Sequence, residues 1–141
     1  MKKYIILSII VIIAISSIYY LFNNYKVTAM QVENNNKMYT EIYNKEITGS
    51  TLATIINKTL DKNEKNEEKK DNNDYYISNN ENYIIIEIKF QDSDDIFRVE
   101  QIAKNGIENF IKLYSNLNFK CTKIEYHKKT NYISYLYFEQ I

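Results

Sequence analysis

The residues best suited to covalent chemistry in this 141-residue chain are its single cysteine, Cys121, and its single histidine, His127. A thiolate beside an imidazole would make a nucleophile activated by a general base. Both lie in one strand-like run, six positions apart. At about 3.3 Å per residue their backbones would be about 20 Å apart, beyond hydrogen-bond reach. The expected roles are therefore a small core side chain beside Phe119 for Cys121 and a turn residue for His127. Metal chemistry meets similar limits, because one His and one Cys cannot furnish a zinc site within one chain. A calcium loop opened by Asp92, Asp94 and Asp95 would need glycine at 97 and glutamate at 103, where Phe97 and Ala103 stand. Gly49 and Gly106 are too far apart to form a phosphate-binding loop. Most carboxylates fall in a segment without apolar residues or on expected outer helix faces. No catalytic, cofactor or metal site is expected, and the chain reads as non-enzymatic.

The elements that would carry any function begin with an unbroken apolar run from Tyr4 to Phe22, preceded by Lys2 and Lys3. At about 1.5 Å per residue, a helix of that length matches the roughly 30 Å hydrocarbon layer of a bilayer. Tyr4, Ile10, Ile13 and Phe22 mark its expected membrane-spanning surface. Tyrosines at both ends suit the headgroup region, and Ser8, Ser16 and Ser17 can bond back to their own helix. A cleavable signal would have a shorter apolar core and small residues directly after it, whereas Asn23, Asn24, Tyr25 and Lys26 follow here. The lysines before the run favour a cytoplasmic N-terminus and an outside domain. Lys2 stands where myristoylation needs glycine, so no lipid anchor is indicated.

Formal net charge is zero, which leaves no electrostatic footprint for nucleic acid. One cysteine excludes an intrachain disulfide. Abundant Ile, Asn, Lys and Tyr, with one arginine and no proline, is the composition of AT-rich coding sequence, so Asn34–Asn36 carry no functional weight.

The expected segments are a transmembrane anchor over 1–23, a helical stem and short amphipathic helix over 24–61, a mobile charged loop over 62–74, and a sheet with its covering helix over 75–141. Tyr25, Ala29, Val32, Asn36, Tyr39 and Tyr43 fall on one helical stripe, and neither proline nor glycine intervenes between Phe22 and Ile47. The membrane helix can therefore run on as a stem, with a break near Asn34 as the alternative. Thr48 reads as an N-cap, with Ile47 and Leu52 as the hydrophobic staple around Gly49, for a helix over Ser50–Asp61. Lys62–Asp74 has no apolar side chain to offset its ordering entropy.

Tyr75–Ile77 and Tyr83–Phe90 read as a hairpin about Ser78–Asn82, with Ile84, Ile86, Ile88 and Phe90 on the buried side. Asp92 or Ser93 would cap a long helix whose apolar stripe runs Ile96, Val99, Ile102, Ala103, Ile107, Phe110, Leu113, Tyr114, Leu117. Gly106 beside that stripe suggests a close helix-to-sheet approach. Phe119–His127 and Tyr132–Glu139 complete the strands. The expected fold is α+β: the N-terminal helix, then a small antiparallel sheet of three to four strands packed on one main helix.

This layout, with the helix start Tyr43-Asn44-Lys45-Glu46-Ile47-Thr48-Gly49-Ser50-Thr51-Leu52, resembles small pilin-like or pseudopilin-like single-pass membrane proteins of low-GC Gram-positive bacteria. Type IV prepilins carry a glycine before the apolar segment and a glutamate just inside it. Met1–Tyr4 lacks the glycine and the apolar run lacks the glutamate. The resemblance therefore implies a minor, unprocessed or pilin-shaped component of a pilus or secretion assembly. The expected partners are the lipid bilayer and other membrane or envelope proteins, with no nucleic acid and no metal. A membrane-tethered sensing or ligand-binding domain is the alternative, and it requires an apolar pocket of roughly a few hundred Å³.

Overall fold

A computed structural model describes residues 2–77 and 81–141. The chain divides into two compact units, Met1–Asn35 and Asn36–Ile141. The first is occupied by helix α1, which spans Lys2–Thr40 and ends in the second unit. Helix α1 is long and apolar enough to cross a membrane. Its large apolar side chains between Tyr4 and Phe22 are 48–76% exposed, including Tyr4, Ile10, Ile13 and Phe22. The hydroxyls of Ser8, Ser16 and Ser17 donate to the carbonyls of Tyr4, Ile12 and Ile13 at 2.8–2.9 Å, which satisfies them without water.

The second unit is α+β. Its elements after α1 are β1 (Glu46–Thr48), α2 (Gly49–Lys65), β2 (Ile85–Lys89), β3 (Ile96–Arg98), α3 (Val99–Lys104), α4 (Ile107–Tyr114), β4 (Asn118–Tyr126) and β5 (Ile133–Gln140). The sheet has five strands in the order β1-β4-β5-β2-β3, not three to four. It is also mixed rather than antiparallel, because β2 and β5 run parallel with Ile86 opposite Leu136 and Ile88 opposite Phe138. The antiparallel expectation fails at the helical connection from β3 to β4. That connection delivers β4 beside β1, and β5 then returns into the slot next to β2.

Alternation along β2 does bury Ile84, Ile86, Ile88 and Phe90. These meet Leu52, Ala53, Ile55 and Ile56 of α2, with Val99, Phe110, Phe119, Cys121, Leu136 and Phe138, in one core.

Four local readings are corrected. Tyr75–Ile77 does not pair with β2, since Tyr76 forms an isolated bridge with Lys70; of the expected turn, residues 78–80 lie outside the described residues. The expected long helix is broken. Asp92–Asp95 belong to the turn between β2 and β3, residues 96–98 are strand, and α3 starts after Arg98, whose N–H donates to Gln101 Oε1 at 2.9 Å. Gly106 separates α3 from α4 at φ 91°, a backbone conformation that side chains disfavour, and a Cβ there would lie 3.4 Å from Asn109 Nδ2. Its role is the bend, not close packing on the sheet. Finally, α2 runs to Lys65, so the first residues of the expected loop are helical.

Gly49 is where close approach occurs. Thr48 caps α2, its Oγ1 accepting from the Thr51 N–H at 3.3 Å. The N–H groups of Gly49 and Ser50 then donate to the carbonyls of Leu117 (2.8 Å) and Ser115 (3.2 Å), at the end of α4. A Cβ on Gly49 would sit 1.9 Å from the Tyr114 carbonyl oxygen. Gly49→Ala is accordingly expected to destabilise the domain by about 3 kcal/mol or more, combining overpacking with weakened hydrogen bonds. Gly106→Ala should cost about 1–2 kcal/mol through its backbone conformation alone. Urea unfolding of the full chain in detergent, followed by tyrosine fluorescence, checks the ranking.

Candidate functional site

Residues 43–50 are held along one edge of the sheet. The Asn44 N–H donates to the Cys121 carbonyl at 3.0 Å, and Ile47 pairs with Phe119. Leu52 is fully buried and Ile47 packs partly against the same core. Ile47, Thr48, Gly49 and Leu52 are thus built into this sheet edge and the core beneath it.

Cys121 and His127 are both buried, but in different surroundings. The Cys121 thiol points at the Lys123 carbonyl at 3.5 Å, and burial pushes it up to about 11. It is protonated at neutral pH and shielded from substrate, the opposite of an activated thiolate. His127 Nε2 lies 2.7 Å from the Tyr83 carbonyl, which can only accept, so Nε2 carries the proton. Its ring packs edge-on against Tyr83. His127 thus locks the β4–β5 turn to the segment entering β2, a larger structural role than a turn position alone.

Two open cavities flank the α3–α4 region. One, of about 310 Å³, is lined by Glu64, Lys70, Asp74, Tyr76, Glu100 and Lys104, among others. Most of its charged side chains have partners in or beside it. Lys104 pairs with Asp74 at 3.6 Å, and Lys70 lies over the Tyr76 ring at 4.7 Å. Glu100 is ion-paired with Arg98 and accepts the Tyr76 N–H at 3.2 Å. Arg98 also donates to the Tyr76 carbonyl and stacks over Tyr75. The chain's only arginine sits where a planar, multidentate donor is needed. This cluster fastens residues 70–76 onto α3 in place of strand pairing.

The other cavity is the candidate binding site. It is a groove of about 310 Å³ between the β2–β3 turn and α4, open to solvent. Phe90, Phe97, Phe110 and Tyr114 form its aromatic floor. Phe90 meets Phe97 edge-to-face at 5.4 Å and lies 4.6 Å from the Tyr114 ring centre. Asp92, Ser93, Asn105 and Asn109 supply a polar rim, and Asp92 is its only charged lining residue. Leu113 of α4 is 69% exposed at the mouth, although its place in the apolar stripe had suggested core. Gly106 creates the groove by turning α4 away from α3. Sequence reasoning missed this site. The available signal was a stripe of apolar residues longer than one helix face of this small domain can cover.

The groove offers apolar contact, ring faces and one carboxylate. Among the described residues no group of three or more His, Cys, Asp or Glu side chains is placed to hold a metal. No protein-family model, curated protein or solved structure matches the chain.

Burial of Cys121 yields a pH prediction. The folded chain holds the thiol proton more tightly than the unfolded chain, whose thiol titrates near 9.0. This group's stabilising contribution is complete below pH 9 and is lost as pH rises toward 11. The stability advantage of the natural chain over Cys121→Ala should therefore shrink across that window in urea titrations. Iodoacetamide at neutral pH should alkylate Cys121 only after unfolding.

Proposed function

We propose that this protein is a non-enzymatic, single-pass membrane-anchored protein whose small α+β domain binds other proteins outside the cytoplasm, as a pilin-like component of a pilus or secretion assembly. The observation that carries this reading is α1. Over its apolar length no side chain is covered by protein, and a helix apolar on every side needs a medium that is itself apolar. Lys2 and Lys3 before the span favour a cytoplasmic N-terminus. The last turn of α1 is built into the domain, in keeping with a pilin-like layout. There Asn36 donates to the Asn131 carbonyl at 2.8 Å and accepts the Ile133 N–H at 3.0 Å.

A second reading, a membrane-tethered sensing or ligand-binding domain, draws support from the 310 Å³ aromatic-floored groove. Protein binding accounts better for the surface around it. Leu113 at its mouth is 69% exposed, and the groove is open, so it offers apolar surface beyond what a small enclosed ligand would cover.

The test uses a chain with Cys121→Ala and a single cysteine at Asn66, an exposed position at the end of α2. The expected result is a carbonate-resistant, full-length membrane protein labelled by an impermeant maleimide in intact cells. Labelling only after lysis would place the domain in the cytoplasm and end the pilin-like reading. Release of the chain by carbonate would end the anchor itself.

A further inference from the structure

The groove between the β2–β3 turn and α4 has features that go beyond general stickiness. Its floor is an aromatic cluster whose members already meet edge-to-face or tilted, so an added ring extends an existing packing pattern. At about 310 Å³ it lies at the lower limit of cavities that enclose a whole small molecule, and it is open on one side. That shape suits a side chain delivered from a larger body.

Charge then narrows the occupant. The only charged residue in the lining is Asp92, and Asp94 and Asp95 follow it in the same turn. None of the three has an ion-pair partner among the described residues. The Ser93 hydroxyl is already used, accepting the Asp95 N–H at 3.1 Å. Three carboxylates in that turn, one of them in the lining, attract cations over roughly a Debye length, about 8–10 Å at moderate salt. Aromatic faces add cation–π attraction close in.

Resting on the reading of this domain as a protein-binding module, we infer that the groove docks a segment of a partner protein that presents an aromatic side chain flanked by lysine or arginine. The ring enters over Phe90, Phe97 and Tyr114, its outer edge is covered by Leu113, and the flanking cations face Asp92, Asp94 and Asp95. A side chain delivered by a polypeptide accounts for both the open wall and the exposed Leu113, whereas a free aromatic amine would leave Leu113 uncovered.

The full chain in detergent micelles is titrated into fluorescein-labelled Gly-Lys-Phe-Lys-Gly and followed by anisotropy. Relative to that probe, versions with both lysines changed to glutamate, or with phenylalanine changed to alanine, are expected to bind at least about tenfold more weakly. Affinity should fall as salt rises. Leu113→Glu should abolish binding. The combined Asp92→Asn, Asp94→Asn and Asp95→Asn chain should bind several-fold more weakly, with its urea midpoint unchanged. Equal binding of the glutamate probe, or undiminished binding by Leu113→Glu, overturns the inference. Full competition by phenethylammonium at the peptide's own concentration would assign the groove to a small cation. Self-association in sedimentation that Leu113→Glu removes would assign it to a second copy of this chain. Each of these failures would leave maleimide labelling of the anchored domain unchanged, so the anchor and the groove are judged separately.

Discussion

The domain depends on a head-to-tail junction between two helices. The last carbonyls of α4 and the turn after it need donors, and the first N–H groups of α2 need acceptors. Gly49 and Ser50 meet Leu117 and Ser115, which answers both needs at once, and the positive end of one helix dipole faces the negative end of the other. That contact requires the α2 backbone to touch the α4 backbone, which only glycine at 49 permits. It also sets the register of β1 on β4, since Thr48 pairs with Asn118 immediately before the junction. Chain segments far apart in sequence are thereby fixed at one point, from which α2, the sheet edge and α4 all diverge.

Away from that point, the core is closed by amides that act as backbone surrogates. Asn63 of α2 donates to the Ile84 carbonyl at 2.8 Å and accepts the Ile84 N–H at 2.9 Å, taking the place of a neighbouring strand just before β2 begins. Asn36 does the same for the start of β5. Buried polar groups are tolerated when bonded, and the oxygen and nitrogen of both carboxamides are. The tyrosine hydroxyls follow the same rule. Tyr39 bonds Thr59 at 3.0 Å inside the core, and Tyr135 bonds Glu87 at 2.7 Å on the sheet face away from α2, where burial and that carboxylate both raise its pKa.

These facts mark what the sequence could and could not reveal. Period-two alternation in Ile84–Phe90 and the Thr48 cap with its staple were legible, because both depend on neighbours in the chain. Asn36 looked like a flaw in a helical stripe and Asn63 like part of a solvated linker. Each is selected by a backbone partner 97 or 21 positions away, to which periodicity is blind. The parallel β2–β5 pairing was hidden for the same reason, since strand order is decided by where the helical connection lands. Gly106 was ambiguous. A glycine in an apolar stripe marks either a close approach or a backbone reversal, and only its φ of 91° distinguishes them.

The chain has only two glycines, and they stand at opposite ends of α4. Gly106 sets the angle at which α4 leaves α3, and Gly49 seats its last turn against α2. An eight-residue helix is too short to hold its own shape in water, so its position comes from those two ends and from Phe110 in the core. With both ends fixed, α4 cannot roll to bury Leu113 without giving up the Gly49 contact or the Phe110 packing. The exposed leucine and the open groove beside it are therefore consequences of how α4 is held, not slack in the fold. A surface imposed by such constraints keeps its shape when empty, and a preformed shape lowers the ordering cost of whatever binds there.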